Sequence, residues 1–545
     1  METDKLIESK ERELKSLYDR MDNDAKFAHL DSYKLTVIDD HDKEHVIPGA
    51  ISITSNKPAT HLNTVQAWLM AAKEQMVIEG DIPDKQKTFL EHFSADALYS
   101  ADEMRSRRGL GKLYPFWATH ICARGWIGTR WMWQQQGNDT YLDGLPCDVR
   151  WLTWEYGNDG LNWVNNKTFR SPGFIKSEYG LEVSGTELVE VCDFWDSKKN
   201  EILINKKFHK TEKNVVGYPP FVITPAPEGF VLLDKGYVVH LGESIFFLNR
   251  GLYNKSNQLD SINLTMALKV VAPPYQKPTP AGKESPYPMP GKMHDYDVGA
   301  EHGPYDLVPQ ADMNMADRQS GQKIDNDLKK GGMTDIELGD QFSPMPSSAL
   351  LVNQQAEIRN RIQQPRLEAI QTHKSQSIKM IIDQYIKFQF TEIGMKGRRG
   401  KYKYTGLGDP DDYTVDFRLT SQSKELDMAN AAFAASLKGV LPRMTIMKDI
   451  MKFQDPEYQI ALLDSEDAAA RDPVIKMIRE GYGLIDQAER TKDEDEKARL
   501  YKEVEIMAEA IRSIKRQRKV NGFQPQENQQ KADNSALSAL VARGG

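Results

Sequence analysis

Hydrophobic positions recur at helical spacing in some stretches of this chain and at strand spacing in others, and the two kinds alternate through its first half. Residues 1–28 read as a charged helix with sparse apolar positions at Leu6, Leu14, Leu17 and Met21. Residues 62–77 give a more apolar helix, with Val65, Leu69 and Ala72 at helical spacing. A tryptophan-rich run from about residue 110 onward (Trp117, Trp126, Trp131, Trp133) predicts a buried helix that turns into a strand at Gly125 or Gly128. Strand-like alternation follows over 149–154, 187–195 and 201–208, the last after the turn residues Ser197-Lys198-Lys199-Asn200. The chain then passes through Gly217-Tyr218-Pro219-Pro220 into Phe221-Val222-Ile223-Thr224, closing one mixed domain over residues 1–242.

Residues 243–271 place Ile245, Leu248, Leu252, Leu259, Ile262 and Met266 three, four or seven residues apart, with polar Asn254, Lys255, Ser256 and Asn257 between them. That predicts a long amphipathic helix with one narrow apolar stripe. Such a stripe cannot bury itself in a monomer, so Leu252, Leu259, Ile262 and Met266 are the expected contacts to neighbouring copies in a ring. Pro273-Pro274 stops the helix, and residues 272–310 hold nine of the 27 prolines and four glycines, so no helix crosses this segment. A second helix over 311–330 is closed by Gly331-Gly332. Helix, proline-rich excursion, helix is the outline of an arm that leaves a body and returns. Next comes a polar loop, 333–348, carrying Asp335, Glu337, Asp340, Gln341, Pro344 and Pro346. Ser347 or Ser348 can then cap a long helix over 349–390, bent at Pro365. A strand-and-turn region (391–424) separates it from helices over 424–441, 443–453, 458–480 and 486–519. The last of these has Leu500, Val504, Met507, Ile511 and Ile514 at heptad spacing. Residues 520–545, rich in Gln, Ser and Ala, are expected to be disordered. The fold class is therefore α+β and helix-rich.

Composition narrows the chemistry. With 545 residues several cores are possible, and a net charge of −8 argues against a dedicated nucleic-acid binder while permitting DNA to pass without being gripped. The three cysteines, Cys122, Cys147 and Cys192, form no CxxC pair, which excludes a disulfide scaffold and a cysteine-ligated zinc site. No secretory leader opens the chain, and no run of about 18 apolar residues predicts a membrane span. Gly109-Leu110-Gly111-Lys112 and Gly397-Arg398-Arg399-Gly400-Lys401 lack the spacing of a phosphate loop, and neither GxSxG nor HExxH occurs. His41-Asp42-Lys43-Glu44-His45 matches the HxxEH zinc signature, but that chemistry needs a helix and these residues lie in turn-like sequence. The tryptophans read as core packing and not as a base-stacking platform, since only Arg124 and Arg130 accompany them. Asp411-Asp412 and Asp493-Glu494-Asp495-Glu496 read as solvated charge runs. The cluster Arg512, Lys515, Arg516, Arg518 and Lys519 complements a helix C-terminus as readily as it would face DNA. The expectation is a protein without catalytic residues, bound metal or cofactor.

The order of these segments resembles the portal family of tailed bacteriophages. Val189-Glu190-Val191-Cys192-Asp193-Phe194-Trp195, a hairpin and then Gly217-Tyr218-Pro219-Pro220-Phe221-Val222 are similar to a passage of the family's wing. Gln355-Ala356-Glu357-Ile358-Arg359-Asn360-Arg361 lies in a segment similar to the family's long helix beneath the wing. The resemblance covers roughly residues 60–515 and is one of order and pattern. It implies a wing (1–242), a first stem helix (243–271), a clip (272–310) and a second stem helix (311–332). A tunnel loop (333–348), a long bent helix with remaining wing (349–454) and a helical crown (455–519) follow. It further implies a ring of about twelve subunits around double-stranded DNA at one capsid vertex. Its partners would be the terminase large subunit, the major capsid or scaffolding protein and a tail adaptor, with no membrane contact. The implied location is the virion, with the host cytoplasm during assembly. Asp335, Glu337, Asp340 and Gln341 would line the channel, with Lys323, Lys329 and Lys330 as DNA-facing cations. Two features depart from the family pattern: a clip unusually rich in proline and a tunnel loop unusually acidic. Two other readings are a different head–tail connector or internal virion protein, and a nucleic-acid enzyme. The enzyme would need a metal-binding carboxylate cluster, which this order of elements does not assemble.

Overall fold

The computed structural model describes residues 2–38, 43–136, 139–228, 236–278, 292–296, 306–307, 315–332, 349–395, 398–420, 441–447, 460, 463–464, 472–490 and 494–521. The chain divides into two compact units, Met1–Gln422 and Ser423–Gly545. Both helices and strands build the first, so the fold is α+β.

The first unit opens with α1 (Glu2–Glu13) and α2 (Lys15–His29), where one continuous helix was expected; Leu14 interrupts it. A hairpin of β1 (Thr36–Ile38) and β2 (Glu44–Val46) precedes α3 (Lys57–Met70), β3 (Lys73–Gly80) and α4 (Asp84–Arg107). The apolar helix expected over 62–77 thus ends at Met70. Val77 and its neighbours pair with a strand more than 300 residues later, a partner that local periodicity does not contain. Then α5 (Leu113–Ala123) turns into β4 (Trp126–Gln136) at Gly125, as the pattern indicated. Gly125 sits at φ +74, and a Cβ there would lie 1.9 Å from the Gly242 carbonyl oxygen, so backbone crossing demands glycine.

Next come β5 (Asp139–Cys147), β6 (Leu152–Gly157), β7 (Gly160–Arg170), α6 (Pro172–Tyr179), β8 (Val189–Asp196), β9 (Lys199–Ile204), β10 (Lys207–Lys213) and β11 (Phe221–Pro225). The sequence dictates α6 locally. Ser171 accepts the Phe174 N–H, Pro172 starts the first turn, and Gly180 closes the helix at φ +69. Residues 201–208, expected as one strand, are broken at Asn205-Lys206. Both adopt positive φ, which folds β9 back onto β10. β10-β9-β8-β7-β6 form an antiparallel meander and β11-β4-β5 a second sheet.

The chain continues through α7 (Tyr237–His240), α8 (Arg250–Val271), β12 (Tyr275–Pro278), β13 (Met293–Tyr296), β14 (Asp306–Leu307), α9 (Met315–Gly331) and α10 (Ala349–Lys387). It ends in the hairpin of β15 (Glu392–Met395) and β16 (Arg398–Lys401), then β17 (Tyr413–Thr420) against β3. α10 runs through Pro365, whose missing N–H leaves the Arg361 carbonyl without its helical donor. It stops at Lys387 instead of 390 because Gln389 turns to φ +54 and the Phe390 N–H returns to the Tyr385 carbonyl.

The main core lies where α10 meets α4, α5 and β4. The Tyr385 ring meets Phe93 edge-on at 4.8 Å and Trp133 at 5.0 Å. The indole N–H groups of this core are matched. Trp117 Nε1 donates to Thr129 Oγ1 (2.9 Å), Trp131 Nε1 to Ser377 Oγ (2.9 Å) and Trp133 Nε1 to the Ile381 carbonyl (3.0 Å). His373 stands between the hydroxyls of Thr129 and Thr224, at 2.9 and 3.0 Å. Burial pushes its pKa down to about 3. Trp117, Trp126, Trp131 and Trp133 are therefore core residues, as expected of that run.

In the second unit α11 (Pro473–Arg490) packs along α12 (Glu494–Asn521). The break expected between 480 and 486 falls after Arg490 instead. Among the described residues of α12, the heptad positions Leu500, Val504, Met507, Ile511 and Ile514 are all at least partly covered, while Glu503 and Glu505 are exposed. Residues 424–440 and 522–545 lie outside the described residues.

Candidate assembly face and channel segment

The stem begins in a buried knot of charge. The expected helix over 243–271 starts only at Arg250, because Glu243 and Ser244 turn inward. Glu243 meets Arg250 Nη2 at 2.7 Å and Arg20 Nη1 at 3.3 Å. Arg250 also grips Asp24 with two nitrogens, at 2.7 and 2.9 Å, and Ser244 Oγ donates to the same carboxylate. Arg20 Nη2 donates to the carbonyls of Arg124 and Gly242. Two guanidinium groups face two carboxylates, so the knot is neutral, and it ties α2 to the root of α8. Buried pairs of this kind are costly to break singly because the survivor keeps its charge without a partner.

Along α8 the covered face is polar. Asn257, Ser261 and Thr265, one turn apart, accept the backbone N–H groups of Ser55, Ile53 and Ile51, each at 2.9 Å. Two residues of extended chain rise roughly 6.6 Å and four residues of helix about 6 Å, so the two repeats stay in step over three rungs. On its other side the same extended segment accepts through Ser52 and Thr54, from the N–H groups of Leu35 and Tyr33. A strap of backbone thus lies along the helix, held by hydroxyl and amide side chains.

The expected apolar stripe is only partly a packing face. Leu252 joins the main core beside Tyr253, and Ile245 is buried before the helix starts. Leu259, Ile262 and Met266 are half-buried, and Leu248 lies exposed in the turn before α8. Within α8 itself the most open apolar positions are others: Leu264 (43% exposed), Leu268 (37%), Val270 (75%) and Val271 (82%). They fall outside the single stripe that the helical spacing marks.

α9 packs against α8 and buries Leu328. Asn249 Nδ2 donates to the Leu328 carbonyl, and Lys57 Nζ reaches Asp325 at 2.7 Å and Ser256 at 3.2 Å. Gly331-Gly332 end α9 as expected but for another reason. Neither has a positive φ, and a Cβ on Gly331 would lie 2.3 Å from Asn249 Oδ1. Close approach, not a left-handed cap, requires glycine there. A cavity of about 420 Å³ opens at this junction beside His61, Tyr253 and Lys329. Lys323, Lys329 and Lys330 are exposed on α9, with Lys330 at 3.5 Å from Asp327. Asp335, Glu337, Asp340 and Gln341 lie outside the described residues.

Between the two helices the proline-rich segment contains no helix among its described residues, as expected, but it does contain strands. β12 pairs in parallel with β13 and antiparallel with β14.

Elsewhere, among the described residues, little reactive chemistry is assembled. Glu44 and His45 of the HxxEH match lie in β2, a strand, so the geometry that signature needs is missing; His41 lies outside the described residues. Among the described residues no three metal-ligating side chains converge, and no helix is long and apolar enough to cross a membrane. Burial pushes the thiols of Cys122, Cys147 and Cys192 up to about 12, which leaves no thiolate at neutral pH.

Compared with known proteins, the chain matches no family model and no curated protein.

Proposed function

We propose that this chain is the ring subunit of a phage portal, a DNA-conducting vertex protein without catalytic activity of its own. One observation carries the reading: α8 is hydrogen-bonded on its polar face by its own chain and leaves Leu264, Leu268, Val270 and Val271 open. Those open positions gain burial from another molecule, and a neighbouring copy in a closed ring supplies it to every subunit at once. The packed pair α8 and α9, joined through a proline-rich excursion and followed by the long helix α10, supports the stem-and-clip reading. The charge balance is consistent with it. A net −8 with a few cations such as Lys323, Lys329 and Lys330 gives weak, salt-sensitive contact with phosphate, which suits DNA that must slide. Under this reading the terminase motor and the tail adaptor are successive partners, and the acidic segment 333–348 is the part that meets DNA.

The test is the mass of the purified full chain by native mass spectrometry. The expected result is a ring of about twelve copies. Leu264→Asp combined with Leu268→Asp should give subunits with unchanged circular dichroism that no longer assemble. Rings of normal mass from that variant would sink the reading. These positions serve better than Leu259 and Ile262, whose half-burial would mix folding with assembly.

A further inference from the structure

On the body of the first unit, away from α8, an open groove of about 1060 Å³ runs between the N-terminal helices, β11 and the outer face of α10. Leu14, Leu17, Trp154, Phe221 and Met380 give it an apolar floor. One wall is the unpaired edge of β11. The pairs Ala226 with Gly125 and Pro220 with Trp131 fix which residues bond to β4. By alternation the backbone groups of Phe221, Ile223 and Pro225 point the other way, toward the groove. Phe221 N–H is used by the Pro219 carbonyl, and Pro225 has no N–H. The Ile223 carbonyl accepts the Tyr156 hydroxyl at 2.8 Å, while among the described residues nothing accepts the Ile223 N–H. Tyr156 is half exposed, and its hydroxyl occupies the place that the N–H of an added strand would take.

The rim is acidic. Among the described residues Lys10 is the one cation in the lining, and it is paired with Glu13 at 2.8 Å, so Glu155, Asp159 and Glu368 have no cation there. Glu155 accepts the Trp163 indole N–H and Glu368 an amide of Gln364, both neutral donors. An apolar floor, a strand edge with the Ile223 N–H open, and an acidic rim with no cation among the described residues together describe a receptor for one kind of ligand.

We propose that this groove binds a short extended segment of a partner protein, apolar on alternate residues and rich in lysine or arginine, which adds as a strand to β11. Its backbone carbonyl accepts the Ile223 N–H, its N–H displaces the Tyr156 hydroxyl from the Ile223 carbonyl, and its cations meet Asp159 and Glu368. The proposal is independent of the ring reading, because the groove and its test need only the folded chain.

The probe is the fluorescein-labelled peptide Lys-Val-Lys-Ile-Lys-Val-Lys, titrated with the full-length protein and followed by anisotropy. Its controls are Glu-Val-Glu-Ile-Glu-Val-Glu and the basic peptide N-methylated at its central residue. The expected result is saturable binding of the basic peptide, at least tenfold weaker binding of the acidic one, and at least tenfold loss on N-methylation. Asp159→Lys with Glu368→Lys, both on the surface, should invert the preference between the two peptides. Equal binding of both peptides, or tight binding by the N-methylated one, would overturn the proposal. So would failure of every peptide to bind while Asp159→Lys with Glu368→Lys alters the oligomer mass, since the occupant is then a second copy of this chain.

Discussion

α10 and α8 are both long helices of one unit, yet they are held in opposite ways. From residue 367 onward α10 sinks Leu367, Ile370, Ile378, Ile381, Ile382 and Tyr385 completely, and its buried His373 and Ser377 are hydrogen-bonded. α8 does the reverse: its best-covered residues include Ser256, Asn257, Ser261 and Thr265, and much of its apolar surface is open. Hydrophobic burial is non-directional and scales with area, whereas a ladder of hydrogen bonds fixes position while adding little net energy. One helix is held mainly by apolar burial; the other is positioned largely by hydrogen bonds and keeps apolar surface open.

The sharpest test of that contrast is truncation in the α10 core. Trp131→Ala removes a fully buried ring and the Ser377 hydrogen bond, and should cost about 3–5 kcal/mol, read as a lowered urea midpoint. Acid comes next. Burial lowers His373 to about 3 and His61, beside α8, to about 4, so each takes up its proton in the unfolded chain first. Their contribution is complete above about pH 6.5 and is lost as pH falls below it, by about 1–2 kcal/mol per histidine between pH 7 and 5. Urea titrations at both pH values should show the loss, and His373→Gln should flatten the slope by one proton; an unchanged slope would refute the assignment. In the ladder, Ser261→Ala leaves the Ile53 N–H unpaired and should cost about 1–2 kcal/mol, visible as faster amide exchange at Ile53. Smallest of all, Leu268→Ser should change the stability of an isolated subunit by no more than about 0.5 kcal/mol. If it instead destabilises the subunit as much as a core truncation, α8 is not an outward-facing helix.

The same contrast explains what the amino-acid pattern could reveal. The switch from helix to strand at Gly125, the buried tryptophans and the heptad of α12 were legible because each is set by residues near one another in sequence. The face of α8 was not, since Asn257, Ser261 and Thr265 read as solvent-facing until the strap at 51–55, some 200 residues earlier, supplies three donors. The late start of α8 at Arg250 follows likewise from Asp24, far away, which holds Ser244 and Arg250. β3 looked helical because Val77 fits both periods, and only its pairing with β17 decides between them. Of the proposed channel residues, the lysines of α9 were legible as exposed cations; the acidic ones lie in 333–348.

The strap also sets how α8 can move. Its three rungs repeat every four helical residues, so a small slide of α8 along its axis would misalign all three at once. A slide of one whole turn, about 6 Å, would restore two of them. Ile51 and Ile53 would then meet Ser261 and Asn257, or, in the other direction, Ser55 and Ile53 would meet Ser261 and Thr265. The registry therefore opposes small axial displacement at all three rungs together, and a slide far enough to regain two of them would also have to break the knot of Arg250 with Asp24 and Glu243.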